Sequence, residues 1–165
     1  MITYQLAFLV NVSHSKKKIV PVLYVFGDST VDAGNNNNLN TLAKANAFPY
    51  GIDFNNCSTG RFSNGKTFAD LVAIKLGLPM PPSYLGVPKS ERHQVVTGIN
   101  YASGSCGILN STRSYPNGTN NNLNPEKYAD YLLEQLASLI KKIYDLGARK
   151  FVKSRVSSGI VAGEV

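Results

Sequence analysis

The sequence predicts an α/β fold in which helices cover a parallel sheet, and three observations support this prediction. A short apolar run at Val22–Phe26 is typical of a buried strand. Helix-spaced apolar residues follow over about 65–76 and again after Asn124. Strand-like segments return at 95–102 and from Phe151. Alternation of strands and helices along a chain is the pattern of an α/β sandwich.

Composition limits the class of protein. The 165 residues are enough for one domain with a core, and a hydrophobic share of 43% excludes a disordered chain. The net charge is +7, and its positive residues include a lysine triplet at 16–18 and a scatter between Lys141 and Arg155, which form no patch with interleaved aromatic residues. This distribution predicts solvated surfaces and no nucleic-acid partner. No apolar run reaches the roughly 18–20 residues of a membrane span, so no transmembrane segment is expected.

The first strand ends in the turn Gly27-Asp28-Ser29. Glycine permits a tight turn, and open α/β sheets bind their ligands at the carboxyl ends of strands. Ser29 therefore has two interpretations from the residues alone. It is either a nucleophile or the N-cap of a following helix.

The middle of the chain predicts a loop, a helix and a strand in that order. The polar run Asn35–Asn38 is expected to be a loop. A helix is expected over 65–76, with Ser63 or Asn64 as its N-cap. After a proline-rich stretch, the strand at 95–102 ends in a second glycine turn at Gly104.

The second helix has the clearest boundary signals. Asn124 is its expected N-cap, Pro125 occupies the first helical position, and Gly147 is the expected C-cap. Phe151 and Val152 then begin a strand, whereas residues 153–165 show no interpretable pattern. The apolar stripe that should face the core consists of Tyr128, Tyr131, Leu132, Leu136, Leu139, Ile140 and Ile143.

Four ordered segments resemble the signature blocks of the plant GDSL esterase/lipases, a branch of the SGNH hydrolases. They are Phe26–Asn36, Thr59–Lys66, Gly98–Leu109, and a fourth block around Tyr128–Asp130 and Leu146–Phe151. The resemblance covers most of residues 20–152. In the first block threonine follows the serine where the family name has leucine, which leaves the serine in place.

The resemblance implies a flavodoxin-like three-layer sandwich with a parallel sheet, incomplete in this chain. It also implies hydrolysis of lipid or acyl esters, small-molecule substrates, through an acyl-serine intermediate. Ser29 would be the nucleophile, and its own N–H would be one oxyanion donor. The N–H of Gly104 would be a second donor, and glycine suits this role because it has no side chain to hinder the carbonyl oxygen. No metal or cofactor is implied.

Two blocks of the family are absent from the chain. The first is the Gly-x-Asn-Asp whose asparagine completes the oxyanion hole, and the second is the Asp-x-x-His that holds the general base. The polar stretch 111–124 is too short for the strand–helix–strand unit of about 30 residues that should carry the first. His14 and His93 are expected to be exposed loop residues. The alternative function is therefore a shortened, inactive member, either a secreted binding protein or an unstable product.

The expected organisation is an N-terminal segment 1–19 with a possible degenerate signal, a partial hydrolase domain at 20–152 and a tail at 153–165. The family resemblance favours secretion, although the apolar segment 6–10 is short for a signal peptide. Pairing of Cys57 with Cys106 stays open, and the oligomeric state is not predicted. Glycosylation sequons occur at Asn11, Asn56, Asn110 and Asn117.

Overall fold

A computed structural model of the chain describes residues 20–109, 124–153 and 160–163. Its helices are α1 (Phe68–Leu76) and α2 (Pro125–Asp145), with short 3₁₀ helices at Asn35–Asn38 and Arg92–Gln94. Its strands are β1 (Tyr24–Phe26), β2 (Lys150–Lys153) and β3 (Ile160–Gly163). The α/β composition expected from the sequence is therefore present. No helix in the described ranges is long and apolar enough to cross a membrane.

The three strands form an antiparallel sheet in the order β1-β3-β2, which corrects the expectation of a parallel sheet. Tyr24 pairs with Ala162, and Phe151 pairs with the same residue from the other edge of β3. The prediction missed β3 because a four-residue strand offers only two residues to each face, too few for a visible alternation. The expected strand at Phe151 exists as β2, but it runs antiparallel to β3.

On the edge of β1 that does not pair with β3, a few hydrogen bonds form in the parallel direction. The N–H of Val25 donates to Ile99 O at 3.1 Å, and Tyr101 N–H donates to Val25 O at 2.7 Å. Asn100 forms parallel bridges with both Val25 and Ser83. The segment predicted as a strand at 95–102 thus pairs with β1 in the expected direction, although the pairing is limited to isolated bridges.

Helix α1 begins three to four residues later than the sequence predicts. Its N-cap is Thr67, whose Oγ1 accepts the Asp70 N–H at 3.3 Å while Asp70 Oδ2 accepts the Thr67 N–H at 2.7 Å. This capping box requires an acidic or amide side chain three residues after the cap. Ser63 has Lys66 at that position and Asn64 has Thr67, so neither could form it.

The core lies between β1 and α1. The small side chains of Ala69 and Ala73 are fully buried on the side of α1 that faces this core. The apolar cluster built on this contact also contains Val20, Leu23, Val25, Val31, Leu78 and Ala102.

Helix α2 begins where the sequence predicts but buries none of its residues. Asn124 Oδ1 accepts the N–H of Lys127 at 2.8 Å, and Pro125 occupies the first turn. The C-cap is Leu146, and Gly147 follows it with a φ of +110°. The central line of the expected apolar stripe is half-buried, whereas Tyr131 and Leu139 at its edge are exposed.

Candidate functional site

Ser29 follows β1 after Gly27 and Asp28, and it is half-buried in a turn. Residues 29–31 form this turn and no helix begins there, so Ser29 is not an N-cap. The neighbouring Asp28 carboxylate bonds to Thr30. Its Oδ1 accepts the Thr30 N–H at 2.9 Å and the Thr30 hydroxyl at 2.7 Å. In the part of the chain that the structure describes, no side chain hydrogen-bonds the Ser29 hydroxyl.

A second turn lies beside the Ser29 turn. The N–H of Ser103 donates to Gly27 O at 3.0 Å, so residues 27–29 and 103–105 leave adjacent strand ends together. A bond from Cys106 N–H to Ser103 O at 3.0 Å closes the turn, and Ser105 adopts a φ of +65° within it. The two turns that the sequence singled out therefore meet at one edge of the sheet.

Gly104 is fixed in this turn by close packing and by a hydrogen bond. A Cβ at this position would lie 2.6 Å from Asn36 Nδ2 and 2.9 Å from the Phe62 ring. The N–H of Gly104 donates to Asp32 Oδ2 at 3.0 Å. The requirement for glycine thus has a packing cause, and the N–H that the family resemblance assigns to the oxyanion is held by a carboxylate.

Asp32 is a site residue that sequence reasoning missed. Its side chain is completely buried, and its Oδ1 accepts the N–H groups of Gly34 and Asn35, both at 2.7 Å. Its Oδ2 accepts the N–H of Asn36 at 3.4 Å in addition to that of Gly104. Backbone N–H dipoles thus surround the carboxylate as they surround anions bound in backbone nests.

The run Asn35–Asn38 is a 3₁₀ helix and not the expected loop, and its first two residues are buried. Asn36 Nδ2 donates to Gly104 O and to Ala43 O, both at 2.9 Å. Its Oδ1 accepts the Ser103 hydroxyl at 2.6 Å. One amide side chain therefore connects the first signature block with Ser103 and Gly104 of the second glycine turn.

A second buried amide pair continues this network. Asn35 Nδ2 donates to Asn100 O and Ala102 O, both at 2.8 Å. The Asn100 amide donates in turn to Val31 O at 2.7 Å. Buried amides of this kind need complete hydrogen bonding, because each unmet partner carries its full desolvation cost. An asparagine-rich run between two buried strands was the only sequence signal for the network.

The block around 59–66 has a structural role in supporting the first block. Gly34, with a φ of +116°, lies against Gly60, where an added Cβ would come within 2.5 Å of the Gly34 Cα. The next residue, Arg61, forms a two-pronged ion pair with Asp70, with Nε–Oδ2 at 2.8 Å and Nη2–Oδ1 at 2.9 Å. This block therefore joins the asparagine helix to the start of α1.

Burial alone would raise the pKa of Asp70. The hydrogen bonds from Arg61 and Thr67, together with the Arg61 charge, outweigh burial and hold the pKa of this carboxyl below its usual range. Asp70 is therefore ionised at neutral pH and acts as a structural anion.

Aromatic rings line the sheet next to the site. Phe26 stacks on Tyr101 with ring centres 5.3 Å apart, and Tyr84 lies 5.0 Å from Tyr101 on the next segment. Burial raises the pKa of Tyr101, with contributions from Tyr24 and Tyr84. The phenol of Tyr101 therefore stays protonated at neutral pH and does not supply a base.

The remaining sequence candidates do not join the Ser29 turn. His93 is exposed on the second 3₁₀ helix, and His14 lies outside the described residues. Cys57 and Cys106 are exposed and unpaired. Within 20–109, 124–153 and 160–163, no group of His, Cys, Asp and Glu side chains has the arrangement of a metal site.

Comparison with known proteins connects this geometry to a family. The family model described as GDSL-like Lipase/Acylhydrolase matches residues 23–157, which include both turns and the asparagine helix. GDSL esterase/lipase 7 of Arabidopsis thaliana is 37% identical over 198 aligned positions that cover 85% of this chain. GDSL esterase/lipase At1g71691 of the same plant is 56% identical over 94 residues, or 57% of this chain.

The chain spans 54% of the length of the first relative and 24% of the second. The alignment with the first extends over 198 positions, whereas 85% of 165 residues is about 140, so that relative carries residues this chain lacks within the aligned region. No solved structure matches the chain. The match to the family model nevertheless covers most of the sequence, and the chain belongs to the GDSL-like lipase/acylhydrolase family.

Proposed function

We propose that the chain carries the nucleophile half of a serine ester hydrolase of the GDSL type. The observation that supports this most directly is the Ser103–Gly27 hydrogen bond, which aligns the Ser29 and Gly104 turns side by side. Ser29 Oγ attacks the carbonyl carbon of a lipid or acyl ester, and the alcohol leaves as the acyl-serine forms. Water then releases the carboxylic acid and regenerates Ser29.

In this proposal the N–H groups of Ser29 and Gly104 stabilise the oxyanion. The Gly104 N–H donates to the Asp32 carboxylate, so this hydrogen bond must break before the N–H can donate to the substrate oxygen. The complete domain, of which residues 20–152 form a part, is proposed to be a flavodoxin-like sandwich in which the segment at 95–102 runs parallel to β1. The parallel bridges of Asn100 support this arrangement.

A second candidate is an inactive family member that binds esters without hydrolysing them. Two observations favour it: no described side chain hydrogen-bonds the Ser29 hydroxyl, and the Gly104 N–H is already engaged. Loss of one oxyanion donor lowers turnover roughly 10²–10³-fold. Without a triad member, a serine protease retains only about 10³–10⁴-fold catalysis over water. We therefore expect very low turnover from this polypeptide.

Secretion and glycosylation are further proposals. Asn56 is exposed at the tip of a turn and begins a sequon, so a glycan there would meet no packed structure. Asn11, Asn110 and Asn117 lie outside the described residues, as does the segment 1–19 proposed as a degenerate signal.

A fluorophosphonate probe and a short-chain p-nitrophenyl ester test the proposal, with Ser29→Ala as the matched variant. Covalent labelling and ester cleavage that both depend on Ser29 would establish the hydrolase. Equal signals from the two proteins, with the same cooperative thermal unfolding, would establish the inactive alternative. A chain that does not unfold cooperatively would instead indicate an unstable product. It would refute both ester hydrolysis and ester binding as functions of this chain.

A further inference from the structure

One line of residues on α2 remains exposed beside the half-buried stripe. Ala129, Leu133, Ala137 and Tyr144 are all exposed and follow one another at helical spacing. Leu133 is 60% exposed and Tyr144 49% exposed. A leucine flanked by two alanines offers a projection with a shallow recess on either side. Such a face suits close approach of another helix.

The charges next to this line change sign along the helix. Asp130 lies beside its N-terminal half and Lys141 beside its C-terminal half, on the same edge of the exposed line. The first half of the helix is net negative because Glu126 and Glu134 outweigh Lys127. The second half is net positive because Lys141 and Lys142 outweigh Asp145. A helix with this pattern complements a copy of itself that runs in the opposite direction.

We propose that α2 associates with α2 of a second copy of this chain as an antiparallel pair. With Leu133 opposite Ala137 of the second copy, two-fold symmetry places Ala137 opposite the other Leu133. The same register sets Asp130 next to Lys141 of the second copy, and the symmetry repeats this contact. In a parallel pair the two-fold axis would run along the helices and bring opposite edges together, so the Asp130–Lys141 contacts could not form. An isologous interface of this kind is self-complementary and closed.

The size of the face indicates a weak dimer. A helix of 21 residues is about 31 Å long, and one helix pair buries less than the roughly 1,600 Å² of a standard interface. Association should therefore depend on concentration in the micromolar range or above. Lys141 is exposed, and its ion pair with Asp145 at 3.2 Å competes with the contact to the second copy. Raised salt should weaken the dimer further, because it screens exposed charges.

Sedimentation velocity over a concentration series tests the inference with a charge-exchange pair of variants. Asp130→Lys makes the edge positive at both ends, and Lys141→Glu makes it negative at both ends. Each variant alone should self-associate at least about tenfold more weakly than the wild type. An equimolar mixture should recover association, because each positive edge then meets a negative one.

Matched controls separate this interface from other surfaces. Val96→Lys adds a charge at another exposed apolar residue, away from α2, and should leave association unchanged. Circular dichroism should show the wild-type helix content in every variant. A chain that stays monomeric throughout the series would refute the inference. So would a dimer that both charge variants leave intact, or a mixture that does not recover association. None of these outcomes depends on ester hydrolysis.

Discussion

The carboxylate of Asp32 joins two turns that lie 72 residues apart in the sequence. It is completely buried and accepts N–H groups from Gly34, Asn35, Asn36 and Gly104. At the scale of single residues, this is the contact that fixes the candidate oxyanion donor relative to Ser29. Its loss would leave several buried N–H groups without an acceptor.

We expect Asp32→Ala to lower the free energy of unfolding by about 3 kcal/mol or more, since each unmet buried N–H costs about 1–3 kcal/mol. Asp32→Asn should lose less, because the amide oxygen keeps one acceptor. Urea unfolding followed by circular dichroism measures both changes. Added formate should recover part of the loss in Asp32→Ala by filling the vacated carboxylate site.

Asp53→Ala serves as the control for this series, because Asp53 is exposed and should change stability by no more than about 0.5 kcal/mol. A change of that small size in Asp32→Ala would contradict the structural role of the carboxylate. Formate that stabilises the wild type and Asp32→Ala equally would show that the ion acts elsewhere.

Residues with local signals were predictable, whereas residues with remote partners were not. The Ser29 and Gly104 turns follow from a buried strand that ends in glycine, a pattern contained within a few residues. Asp32 and Asn36 depend on hydrogen bonds to residues 67–72 positions away. The sequence next to Asp32 and Asn36 does not show which remote residues they bond to. A polar run such as Asn35–Asn38 therefore predicts a loop.

At the scale of elements, the Arg61–Asp70 ion pair holds the start of α1 against the block at 59–66. Both side chains are nearly buried, and Asp70 also completes the capping box with Thr67. Removing one partner of a buried ion pair leaves an uncompensated charge. The start of α1 therefore depends on a contact with a residue nine positions away as well as on helix propensity.

We expect Arg61→Ala to destabilise the chain by about 3–5 kcal/mol at neutral pH. The pH dependence follows from the lowered pKa of Asp70. A carboxyl whose folded-state pKa is depressed stabilises the fold above its unfolded value near 4, and the contribution is lost as pH falls through the folded value. Unfolding free energies measured between about pH 7 and pH 2 should show this loss in the wild type.

Asp70→Asn provides the comparison, because it keeps the size of the side chain but removes the titrating group. Its stability should be lower at neutral pH, and its decline in acid should be shallower than that of the wild type. Parallel pH curves for the two proteins would contradict the assignment of this acid sensitivity to Asp70.

Element boundaries were predicted where capping residues are decisive. Asn124 and Pro125 specify the start of α2 without tertiary help, whereas α1 has Thr67 as its N-cap because Asp70 lies three residues later and completes the capping box. Strand β3 escaped prediction, and with it the antiparallel sheet. Strand direction depends on which partner lies alongside, and a four-residue strand gives no local sign of that partner.

At the scale of the whole molecule, the chain contains a serine turn without a base beside it in the described residues. His93 is exposed on another segment, and the aligned relative has residues that this chain lacks. Among the described residues, tertiary packing brings Gly104, Asp32 and Asn36 together beside the Ser29 turn without a histidine.

This arrangement predicts how the reactivity of Ser29 depends on pH. A serine activated by histidine shows a rate that rises through the imidazole pKa near 6.5 and then levels off. Without a base, the rate of fluorophosphonate labelling should increase about tenfold per pH unit from about 6 to 9, because hydroxide supplies the proton acceptor. The labelling rate is measured at each pH from reactions stopped at successive times, with Ser29→Ala as the blank.

External imidazole distinguishes a missing base from an inaccessible serine. If only the base is missing, imidazole should raise the labelling rate in proportion to the concentration of its neutral form. A rate that levels off near pH 7 in the absence of imidazole would contradict this prediction, because a histidine of the chain would then activate Ser29. In that case His93→Gln and His14→Gln would identify which histidine it is, since only one of these substitutions should remove the plateau.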